Sequence, residues 1–239
     1  MCAPVDAELP DLPLKRPLPS GERLTLAVED GALSSAYAVA APALSGTGIV
    51  VCPALASEGH SAVAIDYYAR TAGTEPRPED WDPWDGHFQA TTADTYRADV
   101  AAAIAHLRTE FGVSRVLTLG FCVGGGVSFN QAHAGHGLAG VIGLYGLGTG
   151  WRQLPAATDH MAQVECPVLA LYGGADDIVN PAAAAAFDEA LTAGDIPHET
   201  HIYPGAPHSF FDKGFVEYAD ECRDVWQRVL TFAETARPL

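Results

Sequence analysis

The sequence predicts an α/β protein built on a doubly wound, mostly parallel sheet. Two observations carry that expectation. Strand-like and helix-like segments alternate from about residue 21 to the end, and the later strand segments are short and continuously apolar, as strands covered on both faces of a parallel sheet are. The size agrees, because 239 residues with 48% hydrophobic content suit one α/β domain with a large core.

The elements follow in order. Residues 1–20 hold five of the 17 prolines and no periodicity, so they read as an extended arm preceding one domain over 21–239. Strands are expected at Arg23–Glu29, Ser35–Ala40, Gly48–Cys52, Ala62–Tyr67, Arg115–Leu119, Gly140–Leu144, Val168–Tyr172 and Glu199–Tyr203. Helices are expected at Thr92–Phe111, Gly124–Ala134, Pro181–Ala193 and Phe215–Ala236. Asn180-Pro181 is a start signal, an N-cap followed by proline at the first helical position. One joint does not fit. The connection Pro53–Ser61 is shorter than the roughly 10 to 12 residues that a crossover between parallel strands needs.

Charge narrows the function classes. Thirteen Lys and Arg against thirty Asp and Glu give a net charge of −17, which repels phosphate backbones and anionic lipid heads. Nucleic acid and membrane are therefore not expected partners. No apolar run reaches the roughly 18 residues of a membrane span, and the first residues carry acid and proline where a signal peptide carries bases and an apolar stretch. Cys2, Cys52, Cys122, Cys166 and Cys222 are odd in number and scattered, which suits reduced thiols and a cytoplasmic location.

The chemistry concentrates at Leu119-Gly120-Phe121-Cys122-Val123-Gly124-Gly125-Gly126, where a strand ends and a helix begins. A nucleophile elbow holds its residue on a strained strand-to-helix turn and requires small residues two before and two after it. Gly120 and Gly124 satisfy this. The helix N-terminus then favours a thiolate, and the amide of Val123 can bind an oxyanion. Taken alone, the motif suits a tight turn around an inert cysteine equally well. Order tips the balance. Asp176 follows the strand VLALY, and His208 follows the next strand, so nucleophile, acid and histidine succeed one another at strand ends in the α/β-hydrolase order. Asp177 is the alternative acid; spacing to Val179 favours Asp176.

At these residues the chain resembles the dienelactone hydrolase family, α/β-hydrolases with a cysteine in Gly-x-Cys-x-Gly-Gly. The resemblance runs from about Gly48 to Phe232 and includes Ala64-Ile65-Asp66-Tyr67-Tyr68-Ala69-Arg70, Leu144-Tyr145-Gly146 and Ala206-Pro207-His208-Ser209-Phe210. It implies Cys122 as nucleophile, His208 as general base and then acid, Asp176 as the residue orienting His208, and no metal or organic cofactor. The implied activity is hydrolysis of small carboxylic esters or lactones through an acyl-enzyme. Two departures stand out. The family's loop with a glutamate near the resting cysteine, and most of the helix after it, are absent around Pro53–Ser61, so no second oxyanion donor can be assigned. Asp212 stands four past the histidine, where dienelactone hydrolases carry a carboxylate-binding arginine. A neutral ester or lactone is therefore the expected small-molecule partner.

Trp81 and Trp84 are expected to roof an apolar substrate pocket, with Tyr145 beside it and Arg70 leaving a strand at the same edge. Their alternatives are a loop cluster, ordinary core and a surface ion pair. His198 and His201 sit three apart on a strand and face opposite sides, so without a bend they cannot converge on one metal ion, and they read as structural histidines. The rival readings are an impaired hydrolase that binds a small molecule, suggested by the missing loop, and an acyltransferase on the same scaffold. A monomer or homodimer is expected.

Overall fold

The structure, a computed structural model, describes residues 19–41, 46–50, 57–75 and 86–239. It divides into two compact units, with the boundary between Val116 and Leu117. The expected arm, residues 1–20, lies almost wholly outside the described residues.

In the first unit, β1 (Glu22–Ala27) and β2 (Leu33–Val39) form an antiparallel hairpin. Its turn is closed by Gly31 at φ 84° and by the Ala32 amide donating to Asp30 Oδ1 at 3.0 Å. β2 pairs antiparallel with β4 (Ser61–Asp66), which pairs in parallel with β3 (Thr47–Val50). The short joint of the sequence is thus a connection between neighbouring parallel strands, and of it residues 57–60 are described, as a short 3₁₀ turn. After the short α1 (Ala69–Ala72), α2 (Ala93–Glu110) starts at a reciprocal cap. Thr92 accepts from the Thr95 amide while Thr95 Oγ1 accepts from the Thr92 amide. α2 buries Val100, Ala103, Ile104 and Leu107. A Cβ on Gly48 would lie 2.9 Å from Val113 and 3.1 Å from Leu107, so only glycine lets β3 meet these side chains so closely.

In the second unit, β5 (Arg115–Phe121, of which the unit holds the part from Leu117), β6 (Gly140–Leu144), β7 (Val168–Gly173) and β8 (His198–Tyr203) are parallel and adjacent in that order. Two glycines show how the sheet is covered. A Cβ on Gly143 would strike the Phe129 ring of α3 (Val123–Gln131) at 2.3 Å, and one on Gly140 would strike Phe232 of α5 (Ala219–Thr235) at 2.6 Å. Residues three apart on a strand face opposite sides, so α3 and α5 pack on opposite faces of β6. Phe187 of α4 (Pro181–Ala193) meets Phe129 with ring centroids 4.6 Å apart, which puts α4 on the α3 side. The unit is doubly wound, as expected. β8 is the outer strand and the most exposed one; His198 Nε2 meets Asp188 at 3.2 Å, while His201 packs on Tyr203.

β6 and α4 occupy the expected residues. α3 stops at Gln131 rather than Ala134, because the chain unwinds through Gly135 and Gly137 at positive φ. α5 begins at Ala219 rather than Phe215: the residues before it form turns, with the Tyr218 amide donating to the Gly214 carbonyl. A 3₁₀ stretch at Ala157–Gln163 was not expected. Among the described helices, none is long and apolar enough to cross a membrane.

Candidate active site

β5 ends at Phe121, and Cys122 turns the chain into α3 with φ 53° and ψ −118°. A non-glycine residue in that region is strained, and the surroundings hold it there. The Cys122 amide donates to the Leu144 carbonyl at 3.0 Å, and its carbonyl accepts from Gly125 and Gly126. A Cβ on Gly120 would lie 1.9 Å from the Gly124 carbonyl oxygen, which explains the glycine two before the cysteine. Gly125 and Gly146 touch through their backbones, a Cβ on either falling within 2.7 Å of the other. Helix α3 therefore starts tight against the end of β6, with its first amides at Cys122. Cys122 is half-buried, whereas burial pushes the Cys166 thiol up to about 12 and the Cys222 thiol up to about 11.

Glycines also bring the acid and histidine loops together. A Cβ on Gly173 would strike the Ala206 carbonyl at 2.3 Å, and the amides of Gly174 and Ala175 donate to Tyr203 and Ala206. The loop after β7 is thereby laced to the loop after β8. Asp176, its side chain wholly buried, accepts from the amides of Ile178 and Val179 through Oδ1, each at 2.8 Å. Its Oδ2 accepts from His208 Nδ1 at 2.7 Å. That bond places the imidazole proton on Nδ1 and leaves Nε2 for chemistry. Asp177 is exposed and plays no part in this arrangement.

His208 Nε2 is buried, and among the described residues it completes no hydrogen bond, although the Cys122 sulfur acts on it electrostatically. Burial of the ring opposes its charged form. The Asp176 carboxylate and the Cys122 sulfur outweigh burial and raise His208 to about 9. Ser209, at φ 61°, redirects the chain after the histidine, and the half-buried Asp212 accepts from the Lys213 amide at 2.8 Å. Burial holds the Asp212 carboxyl above the usual range.

The expected substrate residues fare differently. Tyr145 is fully buried, its ring edge-on to His208 at 5.1 Å, so it buttresses the imidazole. Arg70 is engaged by two carboxylates of its own unit. Its Nε and Nη2 fork onto Asp99 at 3.0–3.2 Å, and Nη1 meets Asp30 at 2.6 Å. The guanidinium is committed to holding a buried carboxylate. Trp81 and Trp84 lie outside the described residues. Sequence reasoning missed the ring cluster of Phe121, Phe211 and Tyr145 beside the elbow, for which aromatic residues in separate segments give no periodic signal.

Comparison with known proteins decides the family. Residues 42–236 match the dienelactone hydrolase family. The chain belongs to the dienelactone hydrolase family. A relative in Escherichia coli O157:H7, named "Putative carboxymethylenebutenolidase", is 30% identical over 189 residues, which is 75% of this chain and 68% of the relative. A crystal structure of a "Putative Dienelactone Hydrolase" from Klebsiella pneumoniae superposes with TM-score 0.73 at 24% identity, covering 90% of this chain and 98% of that one. An alpha-beta serine hydrolase homologue from Coxiella burnetii superposes with TM-score 0.62 at 16% identity, covering 87% and 97%. The α/β-hydrolase fold expected from the sequence is the fold of this dienelactone hydrolase family member, and the protein is a hydrolase.

Proposed function

We propose that the protein hydrolyses small carboxylic esters or lactones with Cys122 as nucleophile. The observation that carries this reading is the Asp176–His208 bond at 2.7 Å beside a cysteine at a strained strand-to-helix turn. The Asp176 carboxylate and the Cys122 sulfur raise His208 to about 9, so the imidazole is held in its charged form at neutral pH. Cys122 then attacks the ester carbonyl carbon as a thiolate, and the carbonyl oxygen becomes an oxyanion facing the Val123 amide at the start of α3. The C–O bond breaks, and His208 gives its proton to the departing alkoxide. Water attacks the thioester, losing a proton to His208. The C–S bond breaks, and acid and thiolate are released with the imidazolium restored. Asp176 keeps the ring oriented and stabilises its charge throughout.

The test is acyl-enzyme formation. An activated ester should give a burst equal to the enzyme concentration and a mass increase on the Cys122 peptide. Cys122→Ala should lose the burst and fall to background hydrolysis with the fold intact by circular dichroism. A variant that keeps more than about a tenth of the wild-type kcat/KM would show that another group is the nucleophile.

A further inference from the structure

The residue after His208 sits in an unfavourable backbone conformation. Ser209 has φ 61° and is 7% exposed, so its left-handed backbone and its hydroxyl both need support from within the fold. The following turn supplies it. The Ser209 carbonyl accepts from the Asp212 amide at 3.3 Å and from the Lys213 amide at 2.9 Å. The Asp212 carboxylate accepts from the Lys213 amide at 2.8 Å and from the Ser209 hydroxyl. Ser209 is thus held by its carbonyl and by its side chain, and both sets of bonds end on one turn. The half-buried carboxylate also faces inward. Its charge reaches the thiol of Cys222 on α5, and that thiol donates to the Phe210 carbonyl at 3.6 Å. With these partners Asp212 belongs to the loop and not to an incoming ester.

We propose that Asp212 is a positioning residue for His208: it locks Ser209 in its left-handed conformation and so keeps the imidazole on Asp176. This rests on the reading of His208 as the acid and base of the hydrolase. The chain before the histidine is already fixed, because the Ala175 amide donates to the Ala206 carbonyl at 2.9 Å. The turn around Ser209 fixes the chain after it. Freeing that side lets the ring drift from its partner, and a displacement of about 1 Å can cost as much as about a hundredfold in rate.

The experiment follows the imidazole in the resting protein alongside the reaction. Proton NMR titration of the His208 ring should give about 9 in the wild type and a lower value in Asp212→Ala. The kcat for a neutral aryl ester should fall about tenfold in Asp212→Ala, with KM within about twofold of the wild type. Ser209→Ala removes the hydroxyl and leaves the carboxylate, so it should reproduce that loss. Asp212→Asn keeps partners for the Lys213 amide and the Ser209 hydroxyl, so it should restore both kcat and the His208 titration. Glycine takes a left-handed backbone without a Cβ penalty, so Ser209→Gly should recover part of the kcat lost in Asp212→Ala. Equal losses in Asp212→Asn and Asp212→Ala would show that the charge acts directly, and would overturn the proposal. Wild-type kcat in Asp212→Ala or Ser209→Ala, a loss confined to KM, or no recovery by Ser209→Gly would overturn it too. Turnover that depends on Cys122, with His208 titrating alike in every variant, removes the positioning role and leaves the hydrolase. No turnover in the wild type, with the titration lowered in Asp212→Ala and held in Asp212→Asn, removes the hydrolase and leaves the positioning role.

Discussion

Both oxygens of Asp176 are committed, one to two backbone amides and the other to His208 Nδ1, so the carboxylate can neither rotate nor be replaced by a neutral amide without turning a donor toward a donor. Asp176→Asn should therefore lower kcat/KM by about 10³–10⁴-fold, while Asp177→Asn, at an exposed position, should change it by less than about threefold. The pH profile follows from the same bond. His208 is raised from an ordinary 6.5 to about 9, so the imidazolium that protonates the leaving group in the proposed mechanism persists at neutral pH and is lost as pH rises through about 9. Activity should fall on that limb, and in Asp176→Asn the limb should move to lower pH. The stability that the raised pKa contributes is full below 6.5 and disappears over the same rise. Iodoacetamide should label Cys122 well before Cys166 and Cys222, whose thiols burial holds protonated, and activity should fall in step with labelling, as mass-spectrometric mapping would show. At this level order was legible in the sequence: Cys122, Asp176 and His208, the residues of the proposed mechanism, each follow the end of a strand. It was uninformative for Arg70, whose partners Asp30 and Asp99 lie 40 and 29 positions away. A charge pair between distant segments leaves no periodic trace.

Among the elements, the close approaches made by glycine set where strands and helices meet. Gly143→Ala should destabilise by about 2–3 kcal/mol, because its Cβ enters the Phe129 ring, and adding Phe129→Leu should recover part of that loss. Urea unfolding of the four proteins in the cycle measures the coupling; strict additivity would mean that α3 shifts as a body instead. Arg70→Ala should cost about 3–5 kcal/mol, since Asp99 is 1% exposed and would be left as a buried unpaired carboxylate. The relative kcat/KM for neutral and carboxylated esters should not change with it. Element positions were legible wherever local physics decides them. The apolar run Gly140–Leu144 and the Asn180-Pro181 start became β6 and α4 without adjustment. The start of α5 was not legible, because the turns before it are held by Gly214 and by Tyr218 reaching the Gly205 carbonyl, contacts made only after the chain has folded.

For the molecule as a whole, a charge of −17 places every anionic substrate in a repulsive field. Raising salt shortens the reach of that field from about 10 Å at 0.1 M to about 3 Å at 1 M. The kcat/KM for a carboxylated ester should therefore rise with salt more than that of its neutral analogue, and parallel responses would rule out long-range repulsion. The outer strand β8 meets a different hazard. Among the described residues its sequence HETHIY pairs with β7 along one side only, and an open side is where a foreign strand can add. Glu199 pairs with Arg228 and His198 with Asp188, so charged and imidazole side chains crowd the strand instead of an apolar alternation. A second molecule approaching edge to edge would have to break those pairs and bring like-charged surfaces together. The protein should accordingly stay dispersed at concentrations where a variant with valine at 199 and 201 gels or forms thioflavin-positive fibres.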